Sequence, residues 1–194
     1  GGVLGAVIGV TNIEKSMTLY KDVLGFDKVI SDTTDVFNDW NGVEGSQKKF
    51  RRVVIRNSKP REGSFGPLLG DNEIELIQAL DYSPKKIFEN RLWGDCGFIH
   101  LCFDIKNMSA LQKACEKVGQ PFTVDGGAGF EMGEAAGHFT YIEDADGTLI
   151  EFVETKKLPV IKKIGWYIDL RKRDPKKALP TFILKALSFS RVKD

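Results

Sequence analysis

Residues 5–26, GAVIGVTNIEKSMTLYKDVLGF, set out a strand, an Asn-bearing helix start, an amphipathic helix and a closing glycine. Residues 100–122, HLCFDIKNMSALQKACEKVGQPF, set out the same series again. Each copy leads to a strand of the form Ile-Glu-apolar-apolar: Ile74-Glu75-Leu76-Ile77 and Ile150-Glu151-Phe152-Val153. An internal duplication outranks any reading of single segments, because it makes the fold two copies of one unit. It also locates the chemistry. Equivalent inward positions converge across a pseudo-twofold axis. They hold Gly5 and Glu75 in one copy, His100 and Glu151 in the other.

The first copy opens with an alternating strand, Val3–Val10, which puts Ala6, Ile8 and Val10 on one face and Val3, Gly5, Val7 and Gly9 on the other. Thr11-Asn12-Ile13-Glu14 predicts a capping box. Ile13, Met17, Tyr20 and Leu24 then mark one helical stripe, and Gly25 supplies a left-handed exit. Strands are predicted at Phe26–Ile30, Phe50–Arg56 and Glu73–Gln78. Between them, Ser31–Lys49 and Asn57–Asn72 read as loops long enough to be functional lids.

The second copy is predicted to open with a strand at Gly97–Ile105. Met108, Leu111, Cys115 and Val118 form its helical stripe, and Gly119 ends the helix. Gln120–Val124 reads as a strand and Asp125–Gly137 as a flexible loop. Phe139–Glu143 and Thr148–Glu154 form a hairpin around the turn Asp144-Ala145-Asp146-Gly147.

The predicted architecture is therefore α+β. Two βαβββ modules, 1–80 and 97–155, form a curled half-open barrel with a central cleft. Neither module closes a core alone, since its sheet would expose one face and an edge. Residues 156–194 are a basic C-terminal extension packed on the body, all within one structural domain. Pro159, Pro175 and Pro180 punctuate it, and a helix is predicted over Thr181–Val192.

At 194 residues, 42% of them hydrophobic, the chain can bury a core that needs no disulfide staples. Cys96, Cys102 and Cys115 have no metal-ligand spacing and read as buried thiols of a reducing compartment. The N-terminus shows no basic leader region, and no apolar run approaches the ~18 residues of a membrane span. A cytoplasmic location is the expectation. Net charge is +1, but Lys156–Asp194 holds 12 basic and 3 acidic residues, leaving 16 basic and 24 acidic before it. The aromatics Trp166, Tyr167, Phe182 and Phe189 argue that this tail packs rather than floats. No reading motif points to nucleic acid, and no glycine-rich loop opens a helix as a nucleotide cofactor would need.

Three stretches resemble one superfamily. Asn12–Ser16 with Leu19–Phe26 resembles the first helix of vicinal oxygen chelate proteins (glyoxalase I, bleomycin-binding proteins, dioxygenases). Gly97–Leu101 resembles the opening of their second module, and Glu143–Glu151 their final hairpin, with Ala145 where Pro is usual. The glyoxalase I-like branch is the nearest.

In that branch four side chains hold a divalent ion. The resemblance assigns His100, Glu75 and Glu151 as metal ligands, and the fourth position, usually His, is Gly5. Nickel, cobalt, manganese, magnesium and zinc all remain open. The implied reaction is that of a lyase or isomerase: metal-assisted proton transfer alpha to a carbonyl of a small substrate, with Glu75 or Glu151 as base. The gap at Gly5 leaves a metal-free small-molecule binding or sequestering protein as the alternative. A CoA-thioester epimerase is the third reading. The gap also speaks against an extradiol dioxygenase, whose iron triad needs a His from each module. Tyr141 is either a hydrogen-bond donor to substrate or a core aromatic. Arg52 is either a partner for a substrate anion or, with Arg51 and Arg56, part of a solvated face. His138 has the parity of a surface residue. A homodimer is compatible with the modular design.

Overall fold

The computed structural model describes residues 3–127, 129–132, 135–161 and 164–187. The first module is β1 (Gly5–Val10), α1 (Ile13–Tyr20), β2 (Lys28–Asp35), β3 (Phe50–Arg56), a short α2 (Gly66–Leu69) and β4 (Glu73–Ala79). The second is β5 (Leu101–Asp104), α3 (Met108–Lys117), β6 (Val124–Asp125), β7 (Phe130–Met132), β8 (Ala135–Glu143) and β9 (Leu149–Ile161). The extension adds β10 (Trp166–Asp169) and α4 (Thr181–Ala186). The part of the expected final helix beyond residue 187 lies outside the described residues.

The duplication is visible in the ladders. The first sheet runs β1-β4-β3-β2, with β1 parallel to β4 and the other pairs antiparallel. In the second, β5 is parallel to β9, β9 antiparallel to β8, and β8 to β6. Helices α1 and α3 cover one face of each sheet. Ile13, Leu19, Tyr20, Met108 and Cys115 from the helices pack with Ile8, Ile55, Leu76, Ile142, Ile150 and Phe152 from the strands in one core. A shared core is what neither module could bury alone.

A polar clasp joins the modules through residues at both ends of α1. The Tyr20 hydroxyl donates to Asp144 Oδ2 at 2.9 Å in a buried setting. Thr11 donates twice to Asp146, from its backbone N at 2.9 Å and its hydroxyl at 2.6 Å. This changes the expected capping box. Asn12 is the cap, accepting from the Lys15 amide at 2.8 Å, because Thr11 is drawn to a carboxylate 135 residues away. Glu14, expected to complete the box, pairs with Arg51 instead.

Other boundaries also move. β2 extends to Asp35, into the expected first loop. Every residue of this edge strand is exposed, so it lacks the apolar alternation that announces a strand. The expected flexible loop 125–137 carries β7 and the start of β8. β9 runs 13 residues, past the expected end of the second module. Pro159 is tolerated because the β8 ladder ends at Lys157, so no β8 residue stands opposite it. The second long loop is fastened rather than free. The Gly63 amide donates to the Lys176 carbonyl at 3.1 Å and the Leu179 amide to the Ser64 carbonyl at 3.0 Å. Its Phe65 packs on a second cluster built from Val160, Leu170, Leu179 and Ile183. Among the described residues no helix is long and apolar enough to cross a membrane.

Candidate functional site

The side of each sheet away from the helices carries the candidate residues. Ile74 and Leu76 are buried in the core, so Glu73, Glu75 and Ile77 take the other face by alternation. The same parity holds in β9, where Ile150 and Phe152 are buried and Glu151 and Val153 face away from them.

Glu151 is the hub of the second module. The Tyr141 hydroxyl donates to its Oε1 at 3.0 Å, and His100 Nε2 lies 3.2 Å from its Oε2. The Tyr141 and His100 rings meet edge to face at 5.3 Å. Cross-strand pairing explains the cluster: Tyr141 on β8 and Cys102 on β5 both stand opposite Glu151. The Cys102 thiol also hydrogen-bonds Glu151. Burial first, and then that bond, push the thiol up to about 12. The Tyr141 hydroxyl is pushed up to about 12 by the same two causes in the same order. Both groups therefore stay protonated donors to the carboxylate near neutral pH.

Cys102 is the residue that sequence reasoning missed. It was expected to be a buried thiol, but it is exposed, as is Cys96, and only Cys115 of the three is buried. The signal lay in parity. Leu101 and Phe103 pack against the core, so the residue between them must face away.

The first module surrounds its glutamate differently. Arg52 Nε donates to Glu75 Oε1, and Arg52 Nη1 donates to Asp39 Oδ2 at 2.8 Å. The hydrogen bond to Glu75 is the chief cause of a further rise in the Arg52 pKa. The guanidinium carbon lies 4.6 Å from the Phe37 ring centre and 4.5 Å from that of Trp40. Arg51 pairs with Glu14 at 2.5 Å and with Asp32 at 2.8 Å, and Arg56 pairs with Glu73. The three arginines thus form ion pairs rather than a simply solvated face. His138, expected at the surface, has its Nε2 2.5 Å from Asp125, with its side chain 14% exposed.

The expected ligand set can be tested against this geometry. Among the described residues no group of three or more His, Cys, Asp or Glu side chains is arranged to hold a metal ion. His100 and Glu151 come together, but Glu75 is engaged by Arg52. As they stand, the three side chains do not fit a common divalent ion. Nor can Gly5 be read as a vacant ligand position. It pairs with Glu73, and a Cβ built on it would lie 2.2 Å from the Glu73 carbonyl oxygen. The glycine is required by the close approach of two backbones.

Two cavities border these strands. One, of about 190 Å³, sits between β1 and the segment joining β4 to β5, with Val7, Gly9, Pro84, Ile87 and Phe98 in its wall. The other, of about 380 Å³, lies between Glu62–Phe65, the end of β5 and the extension. Asp104 lines it, pushed up to about 6, chiefly by burial.

Comparison with solved structures gives the same fold. A glyoxalase family protein from Bacillus cereus is 14% identical over 79% of this chain and 93% of that one, with a TM-score of 0.60. A glyoxalase family protein from Enterococcus faecalis is 16% identical over 78% and 96%, with a TM-score of 0.52. A glyoxylase/bleomycin resistance protein/dioxygenase domain from Frankia sp. is 16% identical over 80% and 98%, with a TM-score of 0.51. No curated protein matches the chain. The family model of the Glyoxalase/Bleomycin resistance protein/Dioxygenase superfamily matches residues 3–152. That match spans both βαβββ modules, and the chain belongs to this superfamily.

Proposed function

We propose that this chain is a small-molecule-binding member of the superfamily whose cleft works without a metal held by Glu75, His100 and Glu151. The observation that carries this reading is the Arg52–Glu75 ion pair. It commits one oxygen of the first-module carboxylate to a fixed cation, whose positive charge disfavours a second cation beside it. Glu151, with the protonated donors Tyr141 and Cys102 and the adjacent His100, forms the polar end of the ligand site. Arg52 serves as a cationic anchor on the first module. The test is metal content by elemental analysis, beside thermal shift with small carbonyl and carboxylate ligands, with and without chelator. Substoichiometric metal and chelator-independent stabilisation are the expected results. One bound divalent ion per chain, with stabilisation lost on chelation, would overturn the reading.

A second reading, a glyoxalase I-like lyase or isomerase, is favoured by a specific observation: His100 and Glu151 lie side by side at the positions the resemblance assigns. There Glu151 would take the proton alpha to a carbonyl, and Tyr141 would hold the carboxylate in place. Turnover of the hemithioacetal of methylglyoxal, assayed with each candidate divalent ion and lost in Glu151→Gln, is the outcome that would establish it.

A further inference from the structure

Arg52 is held by two carboxylates of different standing. Glu75 is its neighbour on the same sheet, with 17% of its side chain exposed. Asp39 arrives from the β2–β3 loop, on a single 3-10 turn at Asn38–Trp40, and 58% of its side chain is exposed. The loop delivers two rings with it. Phe37 and Trp40 lie 5.4 Å apart and both rest against the guanidinium. Trp40 then contacts Phe50 on β3 at 5.2 Å, and Phe50 contacts Tyr82 at 6.1 Å. A cation on the candidate face is thus bordered by a run of rings and reached from solvent by one loop carboxylate.

Resting on the small-molecule reading above, we propose that this is the subsite for the carboxylate of a planar organic anion, and that Asp39 is its internal competitor. An incoming carboxylate would replace Asp39 on Arg52 one for one. The net charge around Arg52 would not change, and Glu75 would keep its bond. The ligand's flat part would lie along the aromatic run, where ring stacking and apolar contact favour it. Because Asp39 is tethered, it competes at an effective concentration set by its loop, and only its side chain swings off Arg52 when ligand binds, leaving Phe37 and Trp40 in place. The occupied subsite in the free protein is then a built-in filter: acids too small to reach the rings gain too little to displace it.

The experiment is titration calorimetry of the full chain with 2-naphthoate, its neutral isostere 2-naphthamide, and acetate. Asp39→Asn should tighten 2-naphthoate by about two- to five-fold, the range an exposed ion pair supports, and leave 2-naphthamide unchanged. Arg52→Gln should abolish the preference for the acid over the amide. Acetate should bind neither protein measurably. A melting curve for each variant checks the fold, and Arg52→Lys, which keeps charge but loses the fork, should show intermediate preference. Unchanged naphthoate affinity in Asp39→Asn, or an equal gain for the amide, would overturn the proposal. If naphthoate binding then proved sensitive to Glu151→Gln alone, the small-molecule reading would survive without this subsite. If neither probe bound, or binding answered to neither glutamate nor arginine, both would fall.

Discussion

The two modules share one backbone plan and carry a glutamate at the same register position, yet the glutamates have opposite surroundings. Glu75 stands opposite Val7 on β1 and Val54 on β3, with Arg52 two pairs further along. Glu151 stands opposite Cys102 on β5 and Tyr141 on β8, with Phe139 in the place of Arg52. One carboxylate is therefore neutralised by a fixed cation. The other is ringed by the Tyr141 hydroxyl, the Cys102 thiol and His100. A duplication preserves the frame, and the residues at cross-strand positions decide what each glutamate meets.

Exchanging equivalent residues at the strand starts gives the largest expected effect. Gly5 and His100 each lie two residues before the partner of their glutamate. Gly5→His should cost about 2 kcal/mol or more by forcing β1 off β4, since its Cβ has no room. His100→Gly should cost about 1 kcal/mol or less, because that side chain is already partly exposed. Urea denaturation of both variants measures the difference, and equal losses would break the asymmetry.

The clasp between the modules comes next. Tyr20→Phe should lose about 1–3 kcal/mol, because Asp144 Oδ2 is left buried without its donor. A loss near zero in thermal or urea melts would mean that the modules are joined by their apolar core alone.

The glutamates themselves can be compared through the thiol beside one of them. Cys102 should alkylate slowly, because burial of its thiol and then the bond to Glu151 hold its proton. Glu151→Gln should speed iodoacetamide labelling at Cys102, while Glu75→Gln leaves it unchanged. Peptide mapping by mass spectrometry distinguishes Cys102 from Cys96. Equal labelling in both variants would remove Glu151 from the thiol's surroundings.

The smallest effect concerns pH. Asp104 is the second-module counterpart of Gly9, two positions beyond the partner of each glutamate. Its carboxyl, pushed up to about 6 by burial, holds a proton in the folded state that the unfolded chain releases near pH 4. Its stabilisation is complete below that unfolded value and is lost as pH rises through about 6. Asp104→Asn should flatten stability between pH 4 and 6. The effect should stay under about 1 kcal/mol, since the residue is partly open to solvent. An unchanged slope would show that Asp104 titrates as an ordinary surface acid.

By itself the sequence determined the duplication, the α+β class, the helical stripes and the inward parity of Glu75 and Glu151. These follow from periodicity and sterics, which act over a few residues and are written in the chain. It placed β3 residue for residue, because the buried Val53 and Ile55 alternate with the half-buried Arg52, Val54 and Arg56. It missed most of β2, an edge strand with no buried face, and the true helix cap, which depended on Asp146 far along the chain. Only the tertiary structure decided what each glutamate meets. Arg52 reaches Glu75 diagonally across β3 and β4, Cys102 and Tyr141 reach Glu151 from two different strands, and Gly5 is pressed against Glu73. The physical reason is range: a hydrogen bond or ion pair is settled within about 3 Å in space, whatever the separation along the chain.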